Sequence, residues 1–228
     1  IQEKIEKQDF DFEGFRFEDP KTYDSYNFWG NKPDLDVTVN LDEKEITGDV
    51  NFIGAEIGNV NMVKTKMDGR LLLDRSSIDR LYAPGIVIKT GNIDNEASLG
   101  HYILKDSYDG TEEEMKANIV LSSEGASIGY LNLNGGCIEG ACCFKDFKAN
   151  RLIADDARVQ GEVIFVDAEI KSILSFDRAN IDNGVILSNL TIGGVLNFNG
   201  AFLGQNKKKP TIDFYGIETT EKSRMAFH

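Results

Sequence analysis

The chain has 228 residues and sets 38 Asp and Glu against 25 Lys and Arg, a formal charge of −13. Apolar residues make up 41% and aromatics 10%, enough to build a core, so disorder is excluded as the main state. Every apolar run is broken well before the ~18 residues of a membrane helix, and Ile1 opens an acidic stretch without the basic and apolar regions of a signal peptide.

Residues 1 to 45 hold 13 acids and 6 bases, so about half of the net charge sits in a fifth of the chain. The same segment carries eight of the 22 aromatics, among them Phe10, Phe12, Phe15, Phe17 and Trp29. An end of a repeat array must cover unpaired strand edges, and a bulky segment suits that capping role. Aromatics also dominate interface hot spots, so Phe10, Phe12, Phe15, Phe17 and Trp29 are the candidate partner-binding residues.

From Val50 onward, apolar or small residues come in pairs two apart, and the pairs recur every five residues: Val50 and Phe52, Ala55 and Ile57, Val60 and Met62, Thr65 and Met67. After a one-residue slip at Asp68-Gly69 the beat resumes with Leu71 and Leu73, Ser76 and Ile78, Leu81 and Ala83, Ile86 and Ile88. In the second half Ala157, Ala168, Ala179, Leu190 and Ala201 lie eleven apart, each with an apolar residue two later. Between them lie Val163 with Phe165, Ile173 with Phe176, Val185 with Leu187, and Leu196 with Phe198.

Residues two apart in a strand share a face, so each pair is a short strand pointing inward, and the residues between pairs are a turn. Four such sides close a coil of about 20 to 22 residues, and coils stack about 4.8 Å apart. The reading is an all-β, right-handed β-solenoid, a quadrilateral β-helix over residues 46–228 behind a segment 1–45. Residues 46–205 would supply about seven or eight coils and a rod of roughly 35 to 40 Å. A helix is excluded because the pairs miss the i, i+3, i+4, i+7 stripe. A sandwich would space its strands and hairpins more widely. Polar stretches near 105–117 and 204–210 are expected to be long corners of the rod. Ile181→Lys should be costly, whereas Lys171 and Asn183 are expected on the exterior.

These residues resemble the pentapeptide-repeat family, whose typical Ala-(Asp/Asn)-Leu unit is approximated by Ala179-Asn180-Ile181. The resemblance covers residues 46 to 205, with Val, Ile, Met or Phe at most central positions. It implies a right-handed four-sided helix. Some members mimic the DNA duplex in the DNA site of type II topoisomerases, so it also implies an acidic DNA-mimic role as an alternative.

Catalytic and metal chemistry finds few residues to work with. His101 and His228 make a Ser-His-Asp site or a two-histidine metal site hard to build. Cys137, Cys142 and Cys143 lack Cys-x-x-Cys spacing and suit a reducing compartment, so a cytoplasmic location is expected. On the five-residue frame Cys143 points inward and Cys137 and Cys142 outward. Asp155-Asp156 is the carboxylate pair on which a carbohydrate-active β-helix would rest, and because adjacent strand residues face opposite sides the two would need a corner to converge. The loop Asp106 to Gly110 lacks the alternating ligands of a calcium loop, and Lys207-Lys208-Lys209 is too short to argue nucleic-acid binding. The expectation is a non-enzymatic interaction or scaffold module with a protein partner. No cofactor, metal, membrane or direct nucleic-acid contact is expected, and a solenoid end could serve homo-oligomer formation.

Overall fold

The computed structural model describes residues 2–14, 38–89, 119–204, 211–219 and 224–226. They wind into a parallel β-solenoid of about six turns with a repeat of about 22 residues. Successive coils pair in register along one ladder: Val50 with Leu71, Leu71 with Leu121, Leu121 with Cys142, Cys142 with Val163, Val163 with Val185, and Val185 with Ile212.

Each coil has four sides. In the first complete coil Val50 and Phe52 point inward from face I, Ala55 and Ile57 from face II, Val60 and Met62 from face III, and Thr65 and Met67 from face IV, and all eight are buried. Faces II and III share one bent strand in most coils, as in Glu56–Asn61 and Lys148–Ile153, and are split into Thr191–Ile192 and Val195–Asn197 near the carboxyl end, so the ladders form three sheets. The pairs read from sequence between Val50 and Ile88 are therefore the core of the rod.

The slip noted at Asp68-Gly69 recurs at each short turn from face IV into face I. Inward pairs are four residues apart there, from Ile46 to Val50, Met67 to Leu71, Ile138 to Cys142 and Val159 to Val163, and three apart at the other corners of the first coil. Three five-residue sides and one six-residue side make 21 residues, the offset between Cys142 and Val163. At that tight corner a Cβ on Gly161 would run into the Gly140 carbonyl of the coil below, which is why glycine stands there.

This arithmetic corrects four expectations. Cys142 faces the core and Cys143 the exterior, the reverse of the uninterrupted five-residue frame, because the extra residue at Glu139-Gly140 flips the strand Ala141–Lys145. Leu174, not Ile173, pairs with Phe176 as the inward residue. A second extra residue in Glu169–Ser175 puts Ile173 opposite Arg151 and Val195 on the outside. Asn183 is 5% exposed at a packed corner rather than on open surface. Finally, residues 46–205 form about six turns rather than seven or eight. The 29 residues between Lys89 and Ile119 separate strands that are direct neighbours, since Leu71 pairs with Leu121.

Both long connections, from Lys89 to Ile119 and from Gly204 to Thr211, join face IV to face I and so fall at the same corner. The loop expected near 105–117, and all but Gly204 of the one expected near 204–210, lie outside the described residues.

Aromatic rings fill the wider part of the interior. Phe144 stacks on Phe165 at 4.6 Å between centroids and Phe176 on Phe198 at 5.2 Å, each pair one coil apart. At the amino-terminal end a short helix, Gln2–Glu6, leads into residues that pair with the first coil. Phe12 N donates to Asn51 O, Asn51 N donates to Phe10 O, and Gly14 N donates to Ile53 O. The edge of the first coil on face I is thus hydrogen-bonded by the chain itself.

Candidate interaction face

Two corners of every coil use a residue with positive φ. Glu43, Lys64, Asp156 and Arg178 hold it between faces III and IV, and Arg75, Asp146, Asp167 and Asn189 between faces I and II. Charged side chains at these corners project away from the rod and link successive coils. Arg178 donates from Nε and Nη2 to the two carboxylate oxygens of Asp156, each at 2.8 Å, and also contacts Asp177. That bidentate fork holds the Asp156 carboxyl below its ordinary value and raises the guanidinium. Similar links join Lys66 to Glu45, Arg70 to Asp49 and Lys145 to Glu124, each 21 residues apart.

Asp155 and Asp156 occupy the corner between faces III and IV and are engaged separately. Asp155 Oδ1 accepts from Ser175 Oγ at 2.5 Å and from Asp177 N at 3.0 Å. It belongs to a chain of side-chain braces up that corner: Asn134 N donates to Asn132 Oδ1, Asp155 N to Asn134 Oδ1, Asn197 Nδ2 to Ser175 Oγ, and Asn199 N to Asn197 Oδ1. Short polar side chains at such turns replace backbone partners that the bend removes.

The three cysteines are free thiols in different settings. Cys137 is half-buried on the outside of face IV, in register with Val87 and Arg158. Cys142 packs in the core, where burial pushes its thiol strongly up. Cys143 joins Ile119, Ala141, Ile164, Val166 and Ile186 in a second apolar cluster on the outward side of face I. Burial first, and the charge of Glu124 second, push its thiol up to about 12.

Of the residues proposed from sequence for partner binding, Phe10 and Phe12 are buried. The Phe12 ring stacks on Phe52 at 5.0 Å. Phe15, Phe17 and Trp29 lie outside the described residues, as do His101, His228, the Asp106 to Gly110 loop and Lys207 to Lys209.

Face III has a composition unlike the rest of the chain. Its two outward columns follow from the register. One runs Asn59, Arg80, Tyr130, Arg151, Ile173, Val195, Arg224, and the other Asn61, Tyr82, Asn132, Ile153, Ser175, Asn197, Ala226. Neither column contains a carboxylate, in a chain with 38 acids. The nearest acids stand at its borders, Asp79 towards face II and Asp42, Asp155 and Asp177 at the corner with face IV. Arg80 and Arg151 are exposed on either side of Tyr130. Asn132 Nδ2 donates to the Tyr130 hydroxyl at 2.9 Å, so the ring lies along the strand instead of standing off it. Tyr82 and Val195 are 38% and 36% exposed, and Ile153 and Ile173 half-buried. Sequence reading missed the column, because 50 residues separate Arg80 from Tyr130 where 21 separate Tyr130 from Arg151.

No family model, curated protein or solved structure matches the chain. Among the described residues no helix is long and apolar enough to cross a membrane.

Proposed function

We propose that this protein is a non-enzymatic interaction or scaffold module that presents face III to a protein partner. The observation that carries the reading is the in-register column of Arg80, Tyr130 and Arg151 on a flat, carboxylate-free surface. Arginine and tyrosine are the residue types that anchor interfaces, and a solenoid holds them on a rigid backbone at low ordering cost. The four-cornered coil with small and large inward residues supports kinship with the pentapeptide-repeat proteins, as a variant with one six-residue side per coil.

DNA mimicry is the weaker alternative, because it needs rows of carboxylates available to a basic groove. Glu45, Asp49, Glu124, Asp156 and Asp182 are instead engaged by cations of other coils.

The test is a capture experiment with three baits: the whole chain, Arg80→Ala/Arg151→Ala, and Lys66→Ala/Arg158→Ala on face IV. A partner retained by the first and third baits and lost with the second is the expected result. A partner indifferent to the face III change, or inhibition of a type II topoisomerase by all three proteins, overturns the reading.

A further inference from the structure

Resting on that reading, we infer that face III recognises an extended acidic peptide segment that also carries apolar side chains, laid along the rod across successive rungs. Charge complementarity gives the acidic part. Arg80 and Arg151 make no ion pair among the described residues, whereas Arg70, Arg158 and Arg178 are each bonded to a carboxylate. The two free forks point from the same column two rungs apart, about 9.6 Å along the rod, and a guanidinium matches a carboxylate bidentately. Without acids in the face's own columns, an incoming carboxylate meets no like charge there. The rest of the protein, at −13 overall, repels the same ligand, so binding is directed to this face.

The apolar part follows from the neighbours of the arginines. Ile173 and Val195 continue the Arg80–Tyr130–Arg151 column, and Ile153 and Tyr82 lie beside it. These side chains form a strip on which Val, Leu or Phe of a peptide would lose water. A polyuronate would satisfy the arginines but would set its hydroxyls against Ile153, Ile173 and Val195, leaving that strip unused. The strands that carry Arg80, Tyr130, Arg151, Ile173 and Val195 each lie between two other strands of the sheet, so recognition runs through side chains and not through addition of a strand to an edge.

The test measures fluorescence anisotropy of three labelled probes against the whole chain. The probes are a peptide of alternating Glu with Val and Phe, its Lys-for-Glu counterpart, and polygalacturonate. The expected result is binding of the acidic peptide alone, weakened by added salt and by about tenfold or more in Arg80→Ala/Arg151→Ala. Val195→Ser should weaken it with no change in the salt dependence. Both variants alter exposed side chains, and unchanged melting curves establish that they fold. No binding of the acidic peptide, equal binding by the Arg variant, or preference for polygalacturonate overturns the inference. If the acidic peptide fails while capture of a partner still depends on face III, the ligand chemistry is wrong and the interaction-module reading stands.

Discussion

The ring of Phe12 lies 5.0 Å from the ring of Phe52 with 11° between their planes, so a residue outside the regular coils completes the aromatic filling of the first one. The neighbouring backbone bonds, Phe12 N to Asn51 O and Asn51 N to Phe10 O, tie the same segment to the strand edge. Phe12→Ala removes the ring and leaves a void at the end of the column. The expected loss is about 3 kcal/mol in denaturant unfolding, with faster exchange of the Asn51 amide that donates to Phe10 O. The exposed neighbour Glu13→Ala should stay within about 0.5 kcal/mol, and equal effects of the two would refute the capping contact.

Ser76 offers a gain in stability. Its hydroxyl is buried on face II without a hydrogen-bond partner, at the inward position that Ala55 and Ala126 hold in the coils before and after it. Ser76→Ala removes an unsatisfied polar group and should raise stability by about 1 kcal/mol. A lower melting temperature would mean that the hydroxyl has a partner.

The thiols should divide by access. In native protein an aromatic disulfide reagent should titrate Cys137 alone, with Cys142 and Cys143 reacting only on unfolding. The buried pair also makes the fold sensitive to alkali. Between the ordinary value of 9.0 and the raised value of about 12 for Cys143, the folded state keeps a proton that the unfolded state loses. Stability from this source is complete below pH 9.0 and falls as pH rises. Cys142→Ala/Cys143→Ala should flatten that decline in melting temperature.

At acid pH the sign is opposite. Asp156 is held below its ordinary 3.8 by the Arg178 fork. Asp49 is also lowered, because the hydrogen bonds from Arg70 outweigh the upward push of burial. Their contribution is present above pH 3.8 and is lost as pH falls through the lowered values. Asp49→Asn should therefore lose less stability than the parent between about pH 5 and about pH 2, and Asp156→Asn, fully exposed, should differ only slightly.

The inward pairs were legible in sequence because period two within a side and period five between sides are properties of the core alone. Ile181, read as inward, is fully buried against Val159 and Leu203. The errors fall where the beat slips. One added residue at a corner inverts the strand that follows, so Cys142 and Cys143 exchanged places, and Ile173 yielded its position to Leu174. Exterior columns were the least legible. Arg80, Tyr130 and Arg151 become neighbours only after the 29 residues from 90 to 118 are removed from the count, and the polar stretch near 105–117 marks that gap without giving its bounds.

The corner between faces IV and I combines close approaches of backbones, at Gly48 with Gly69 and at Gly140 with Gly161, with both long connections of the chain. Ladder register is continuous across those connections, with Leu71 meeting Leu121 and Val185 meeting Ile212. One seam of the molecule therefore takes in a connection of 29 residues while the pairing of the coils on either side of it stays in register. Protein engineers could graft a reporter or a second recognition element along this seam, between Lys89 and Ile119, and leave the columns of face III unaltered.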